Sequence, residues 1–279
     1  MSLENQIANL VGAANNLTSE VAGKMRQIDN KVDAATQAVP NTIREYSEQR
    51  FYIDAIDGDD SNDGSPGAPL KTIAAVRLRT INGSRVTIFP RSGQTHYVKG
   101  YGVSMNTGMI RISGTWEKDT NGGQVPSIVW SPEYDVERNE YRGFLASIET
   151  GSIMFSHLNI MGEFDASLGN LNSVASLFGY ANSYYAGIIY ECSINLKNVP
   201  VFSVYSGYCG RSIHISKASF DVLQNENGKA KLIKNNNSSH QAITLDVYAV
   251  ELKNGLTWDA FLEYYADKRN ILTNLDLAI

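Results

Sequence analysis

The sequence predicts a mainly β protein with an α-helical stalk at its start, and three observations carry that expectation. Over the first fifty residues apolar side chains recur at heptad spacing. From Arg85 onward, short β-branched and aromatic runs alternate with Gly, Asn, Ser and Pro. Only 19% of the 279 residues are charged and 15 are Tyr, a balance that favours strands and turns over helices. Four segments follow from these patterns: 1–50, a coiled-coil stalk; 51–84, a lead-in segment and cap; 85–255, the β body; and 256–279, a C-terminal helix and tail.

In the stalk, Leu3, Ile7, Leu10, Ala14, Leu17 and Val21 step by 4, 3, 4, 3 and 4. Met25, Ile28, Val32, Ala35 and Val39 resume the pattern one residue late, a stutter that locally unwinds a supercoil. Gly12 and Gly23 weaken the helix on its own, so it needs partners. Two kinds are open: sister chains in a coiled coil, with small seam residues suiting three strands, or the apolar face of its own domain. Pro40 is expected to break or restart the helix, with Asn41 as a cap.

The lead-in runs from Phe51 to Ile73. Phe51, Ile53 and Ala55 alternate with Tyr52, Asp54 and Ile56, as in a strand. An Asp/Asn/Gly/Ser/Pro loop follows, and Leu70, Ile73, Ala74 and Val76 have the spacing of a short helix that covers the first layer of a stack. Asp57, Asp59, Asp60, Asn62 and Asp63 offer alternating oxygen ligands suited to calcium, but no bidentate Glu follows at the required spacing. Closure of Asx-turns is the other reading of these residues, and no metal or cofactor is expected.

This segment resembles the start of right-handed parallel β-helix proteins of the pectate-lyase-like kind, common in bacteriophage tail fibres and tailspikes. They carry a run Y-V-D-x-x-x-G-x-D-x-N-D-G-x-x-P-x-x-P-F-K-T-I. Here Tyr52, Asp54, Gly58, Asp60, Asn62, Asp63, Gly64, Pro66, Pro69, Lys71, Thr72 and Ile73 keep it, with Ile53 and Leu70 as conservative departures. The resemblance implies a right-handed parallel β-helix in a virion protein of the tail or baseplate, assembled in the host cytoplasm. It implies no particular substrate.

In the body, strands are expected at Val86–Phe89, Met109–Ser113, Ser127–Trp130, Leu145–Ile148, Ile153–Ile160, Ile188–Leu196, Ile213–Val222 and Ile243–Val247. Ile153, Leu158 and Ile160, then Ile189, Ile194 and Leu196, then Ile213, Ala218 and Phe220 share apolar positions i, i+5 and i+7, with copies 36 and 24 residues apart. That spacing suits the turns of a solenoid, although a β-sandwich also yields regular short strands.

Two insertions interrupt the body. Residues 113–141 hold Trp116, Trp130, Tyr134 and Tyr141 among acidic residues; residues 162–187 hold Tyr180, Tyr184 and Tyr185, with Tyr190, Tyr205 and Tyr208 soon after. Tyrosine presents a flat apolar face and a hydroxyl, which suits sugar rings. Trp116, Trp130, Tyr180, Tyr184, Tyr185, Tyr190, Tyr205 and Tyr208 are therefore candidate glycan contacts, against the alternative that they pack the turns or seal an interface between chains.

For catalysis, Glu163 and Asp165 sit two apart, about 7 Å if extended on one strand face, and Glu191 could join from a neighbouring layer. No nucleophile elbow, P-loop, dinucleotide fingerprint or metal-ligand spacing of His96, His157, His214 and His240 appears. A net charge of −5 argues against a nucleic-acid partner. The first residues lack a basic and apolar leader, and no apolar run reaches a membrane span, so no secretory signal and no span are expected. Cys192 and Cys209 read as buried small hydrophobes in a reducing cytosol, with a disulfide as the alternative.

At the end, Trp258, Phe261, Leu262 and Tyr265 share one face of an expected helix over Leu256–Lys268, with Thr257 as its cap. The expectation is a trimeric tail fibre that attaches to a bacterial surface glycan or protein and joins other virion proteins through its helix. A tailspike depolymerase and a purely structural neck or baseplate fibre are the alternatives.

Overall fold

A computed structural model describes residues 2–105, 108–148, 151–173, 175–179, 185–204, 211–235, 242–263 and 271–277 of the chain. It divides into two units, Met1–Ser47 and Glu48–Ile279.

The first unit is one helix, α1, Leu3–Ser47. It runs through Pro40, so the expected break with a restart at Asn41 does not occur. A proline removes one backbone donor, and the helix continues past it without that bond. The seam residues Leu3, Ile7, Leu10, Ala14, Leu17, Val21, Met25, Ile28, Val32, Ala35 and Val39 are all exposed, with Leu3 and Leu10 at 72%. At ~1.5 Å per residue the helix is about 65 Å long.

The second unit is mainly β and its principal pairing is parallel. A first sheet takes strands Glu48–Ile53, Arg85–Pro90, Met109–Ser113, Gly151–Ser156, Tyr185–Tyr190, Arg211–Ser216, Ile243–Tyr248 and Ile271–Thr273. A second takes Thr95–Lys99, Ser127–Ser131, Asn159–Glu163, Ser193–Lys197, Ser219–Gln224 and Glu251–Leu252. A third takes Tyr101–Met105, Phe144–Ile148, Ser176–Phe178, Phe202–Val204 and Ile233–Asn235. From Arg85 the chain visits the three sheets in fixed rotation, first, second, third, and each strand pairs with its counterpart one circuit later. Among the described strands the one antiparallel pair is the hairpin Glu133–Asp135 with Glu140–Arg142, so an antiparallel sandwich is excluded.

Period-2 alternation puts one row of each strand inward, and parallel register stacks like on like. In the first sheet Phe51, Ile88, Ile112, Phe155, Ile189, Ile215 and Val247 form one column. In the second, His96, Ile128, Ile160, Ile194, Phe220 and Leu252 do so. The third contributes Val103, Ala146, Phe178, Phe202 and Ile233. Phe155 of the first sheet meets Phe178 of the third at 4.2 Å, and Phe178 stacks on Phe202 of the next layer at 4.3 Å.

These registers correct the copy alignment expected from the sequence. Ile189 pairs with Phe155, not Ile153, and the partner of Ile153 is Gly187. The true steps are Phe155 to Ile189, 34 positions, and Ile189 to Ile215, 26. The long runs Ile153–Ile160, Ile188–Leu196 and Ile213–Val222 are each two strands. They are split by a single left-handed residue, His157 (φ 56°), Glu191 (φ 50°) or Lys217 (φ 52°), which turns the chain from the first sheet into the second.

The lead-in loop is built by its own acids. Asp59 accepts from Ser61 N–H and Asp63 from Ser65 N–H, closing Asx-turns, while Asp60 accepts from Lys71 and Thr72 N–H and from the Thr72 hydroxyl. Asn62 donates to Pro69 O. Thr72 caps a 3₁₀ turn, Ile73–Leu78, whose Ile73 and Val76 are buried. At the far end Thr257 caps a short helix, Trp258–Phe261, and Phe261 is fully buried. This is shorter than the expected Leu256–Lys268, of which 264–268 lie outside the described residues.

Candidate functional site

The second sheet ends in a row of outward polar side chains. Lys99 pairs in register with Ser131, and Glu163 with Lys197, whose ammonium lies 3.5 Å from Glu163 Oε2. Just beyond this row the chain makes its two excursions into the third sheet. The hairpin Glu133–Asp135/Glu140–Arg142 pairs Tyr134 with Tyr141, ring centroids 5.2 Å apart, and Tyr141 leans on Phe164 at 5.1 Å. Arg142 holds the hairpin by ion pairs to Asp135 (3.5 Å) and Glu140 (3.3 Å). The Tyr134 hydroxyl donates to Asn139 Oδ1 at 2.6 Å.

The floor is fixed by Asn198. It is buried, its φ is 58°, its amide donates to Phe164 O (3.1 Å) and its Oδ1 accepts from Glu226 N–H (2.7 Å). The left-handed corner is one that Asn tolerates well. Together these elements enclose a groove of about 700 Å³ lined by Lys99, Ser131, Glu133, Tyr134, Tyr141, Glu163, Phe164, Asp165, Lys197, Asn198 and Glu226, among others. A smaller hollow of about 320 Å³ shares Tyr134, Tyr141 and Leu168 with it. Volume, an aromatic wall and a few convergent polar groups are what a small-molecule or saccharide site requires.

Glu163 and Asp165 both line this groove, but not as neighbours on one strand face. The strand ends at Glu163, and Asp165 caps the 3₁₀ turn Ala166–Leu168. Its carboxylate accepts from the Ser167 hydroxyl (2.7 Å) and N–H (2.9 Å), which hold its pKa below the usual value. Glu191 does not join them. It sits on the corner before the second sheet, at the opposite end of the strand Ser193–Lys197, on the order of 15–20 Å away along the strand. Hydrogen bonding from Tyr190 and Lys217 keeps it, too, below the ordinary carboxylate range.

The aromatic candidates scatter. Trp130 is fully buried and donates its indole N–H to Gly100 O at 2.9 Å, out of reach of a ligand. Trp116 packs edge-on against Tyr52 at 5.2 Å, with the Arg91 guanidinium 5.4 Å from its ring. Tyr190 lies on the Glu191 corner, 5.5 Å from the His157 ring. Tyr180, Tyr184, Tyr205 and Tyr208 lie outside the described residues, and Tyr185 enters only as strand backbone. The groove instead uses Tyr134 and Tyr141, whose sequence signal was the pair of like tripeptides Glu133-Tyr134-Asp135 and Glu140-Tyr141-Arg142 flanking a turn.

Among the described residues no three His, Cys, Asp or Glu converge to hold a metal ion, and the lead-in residues Asp59, Asp60, Asn62 and Asp63 are engaged in the turn bonds described above. Cys192 is buried and free, its thiol pushed up to about 12 by burial, while Cys209 lies outside the described residues. No described helix is long and apolar enough to cross a membrane. No family model, curated protein or solved structure matches the chain.

Proposed function

We propose that this chain is a trimeric bacteriophage-type fibre protein of the virion that attaches to a bacterial surface receptor, glycan or protein, through its β unit. One observation carries the reading. A 45-residue helix with an exposed apolar heptad stripe leads without a break into a unit of stacked parallel strands. Such a stripe is stable in water only when another apolar surface covers it, and sister chains supply identical stripes in register. Two strands of one parallel sheet joined by a crossover take the right-handed path almost always, so the fixed rotation through three sheets supports a right-handed parallel β-helix.

In this reading the helix joins the fibre to other virion proteins and carries the β unit outward. The groove beside Tyr134 and Tyr141 meets the receptor. Three weak sites on one particle raise the effective concentration of each for the surface, so avidity exceeds single-site affinity by roughly 10²–10⁴. Cleavage of the receptor is less well supported: a general acid needs a raised pKa, whereas Asp165 and Glu191 are held low and stay ionised near neutrality.

Sedimentation equilibrium of the full chain combined with adsorption to bacterial cells tests the proposal. The expected result is a trimer that adsorbs and releases no sugar. A monomer overturns the fibre reading; a trimer that adsorbs to no surface leaves a structural fibre in its place; sugar release makes the chain a depolymerase.

A further inference from the structure

We propose that the groove beside Tyr134 and Tyr141 selects a saccharide carrying free ammonium groups, which Glu133 and Glu226 hold. The inference rests on the reading of this groove as the receptor site. Lys99, Ser131, Glu163, Lys197 and Gln224 end the first five strands of the second sheet, and all five line the groove. Strands ~4.8 Å apart make this row about 19 Å long, which suits an oligosaccharide laid along the stack rather than a single ring. Two positions past three of these ends stand carboxylates that line the groove as well: Glu133 after Ser131, Asp165 after Glu163, and Glu226 after Gln224. With Glu163, four carboxylates face the two ammonium groups of Lys99 and Lys197.

The partners of these carboxylates decide which of them meet a ligand. Glu163 is answered by Lys197 at 3.5 Å, and Asp165 is turned onto the Ser167 hydroxyl and N–H. Glu133 makes no ion pair among the described residues, because Arg142, opposite it in the hairpin, is held by Asp135 and Glu140. Its place is built by Gly100: a Cβ there would lie 2.6 Å from Glu133 Oε2. Glu226 is set by its own N–H, which donates to buried Asn198 at 2.7 Å. Its carboxylate makes no ion pair among the described residues either, and Lys229, three positions on, donates to Leu171 O instead.

The excess negative charge is spread along the groove. Among the described residues no three acids converge to hold a metal ion, so the charge suits a ligand whose cations are spread as well, one to a ring. The tyrosine wall stacks on sugar faces and attracts an ammonium over its π-face. Ser131 and Gln224 supply hydroxyl and amide partners for sugar hydroxyls. A glycan of acidic sugars meets like charge and is rejected. The strand ends present side chains rather than an open sheet edge along which a peptide backbone would pair, which favours a saccharide over a basic peptide.

NMR titration of the full chain with chitobiose, N,N′-diacetylchitobiose, a hyaluronan tetrasaccharide and a trilysine peptide tests this, at constant ionic strength and at pH 6.0, where the sugar amines are protonated. Saturable binding of chitobiose, about tenfold tighter than its acetylated form, and none of the hyaluronan fragment are expected. Glu133→Gln with Glu226→Gln should bring chitobiose down to the affinity of the acetylated form. Glu226→Gln alone, in an exposed turn, keeps the test in force if the double variant unfolds, with about threefold of the preference lost. Tyr134→Ala should weaken both sugars alike. Equal binding of the two sugars, both weakened by Tyr134→Ala, overturns this inference and leaves the groove a saccharide site. Binding of neither sugar, or indifference to Tyr134→Ala, overturns the receptor reading of the groove with it. Trilysine binding tighter than chitobiose overturns the inference in favour of a basic peptide.

Discussion

Phe202 fills the space that Gly187 leaves empty: a Cβ on Gly187 would lie 2.5 Å from Phe202 Cε1. The glycine stands in a column of apolar side chains, between Ile153 and Ile213, and the ring from the third sheet takes the missing place. Gly187→Ala should therefore destabilise the chain by about 1–3 kcal/mol through overpacking, read as a lower urea midpoint at unchanged slope. Gly187→Ala with Phe202→Leu should recover part of the loss; an additive result would break the link between the two residues.

The same pair explains what could be read from the sequence and what could not. The N-terminal helix and the β-rich body were legible because periodicity is local. Register was not. A search for apolar repeats slides past Gly187 to Ile189, because the side chain that fills that position belongs to a residue 15 further on. The corners at His157, Glu191 and Lys217 were hidden for a related reason: none is Gly or Asn, the residues that advertise left-handed backbone. The groove escaped because its wall is a hairpin of only three residues a side, too short for an alternation signal.

Asp54 should govern the acid limb of stability. It is 1% exposed and accepts from Asp57 and Ile56 N–H, from Gln94 and from Arg91. Burial alone would raise its pKa, but these bonds outweigh it and lower the value to about 2. A depressed carboxylate stabilises the fold above its unfolded value of ~3.9, and that contribution, about 2 kcal/mol, disappears as pH falls from ~4 through 2. Asp54→Asn should cost about 2–4 kcal/mol at pH 7 and flatten the decline between pH 4 and 2 in thermal melts.

The helix seam can be tested by asymmetry. Leu17→Ser with Val21→Ser should shift sedimentation of the full chain towards smaller species, while Glu20→Ala should leave it in place. Equal effects would remove the seam.

Tyr134→Ala and Tyr141→Ala should each weaken adsorption to cells by roughly 5- to 30-fold, the ~1–2 kcal/mol expected when a stacking face is lost. Glu163→Ala with Asp165→Ala should leave adsorption in place. The opposite ranking would shift the groove's task from aromatic stacking to its carboxylates.

Cys192 should resist alkylation. With its thiol at about 12 and 4% exposed, the thiolate is scarce at pH 8. In a Cys209→Ser background, iodoacetamide labelling should require denaturant; rapid labelling of the native chain would contradict the burial of this corner.

The circuits of the chain are unequal. Ile112 meets Phe155 after 43 positions, Phe155 meets Ile189 after 34, Ile189 meets Ile215 after 26, and Ile215 meets Val247 after 32. Each circuit bonds only to the ones beside it, so on the proposed function a pull between cell and particle opens the β unit one circuit at a time. Every release pays out its own length of chain, on the order of 90 to 150 Å. A tether of this kind yields in distinct steps whose order is written in those spacings, and it absorbs a tug that would snap a single rigid contact.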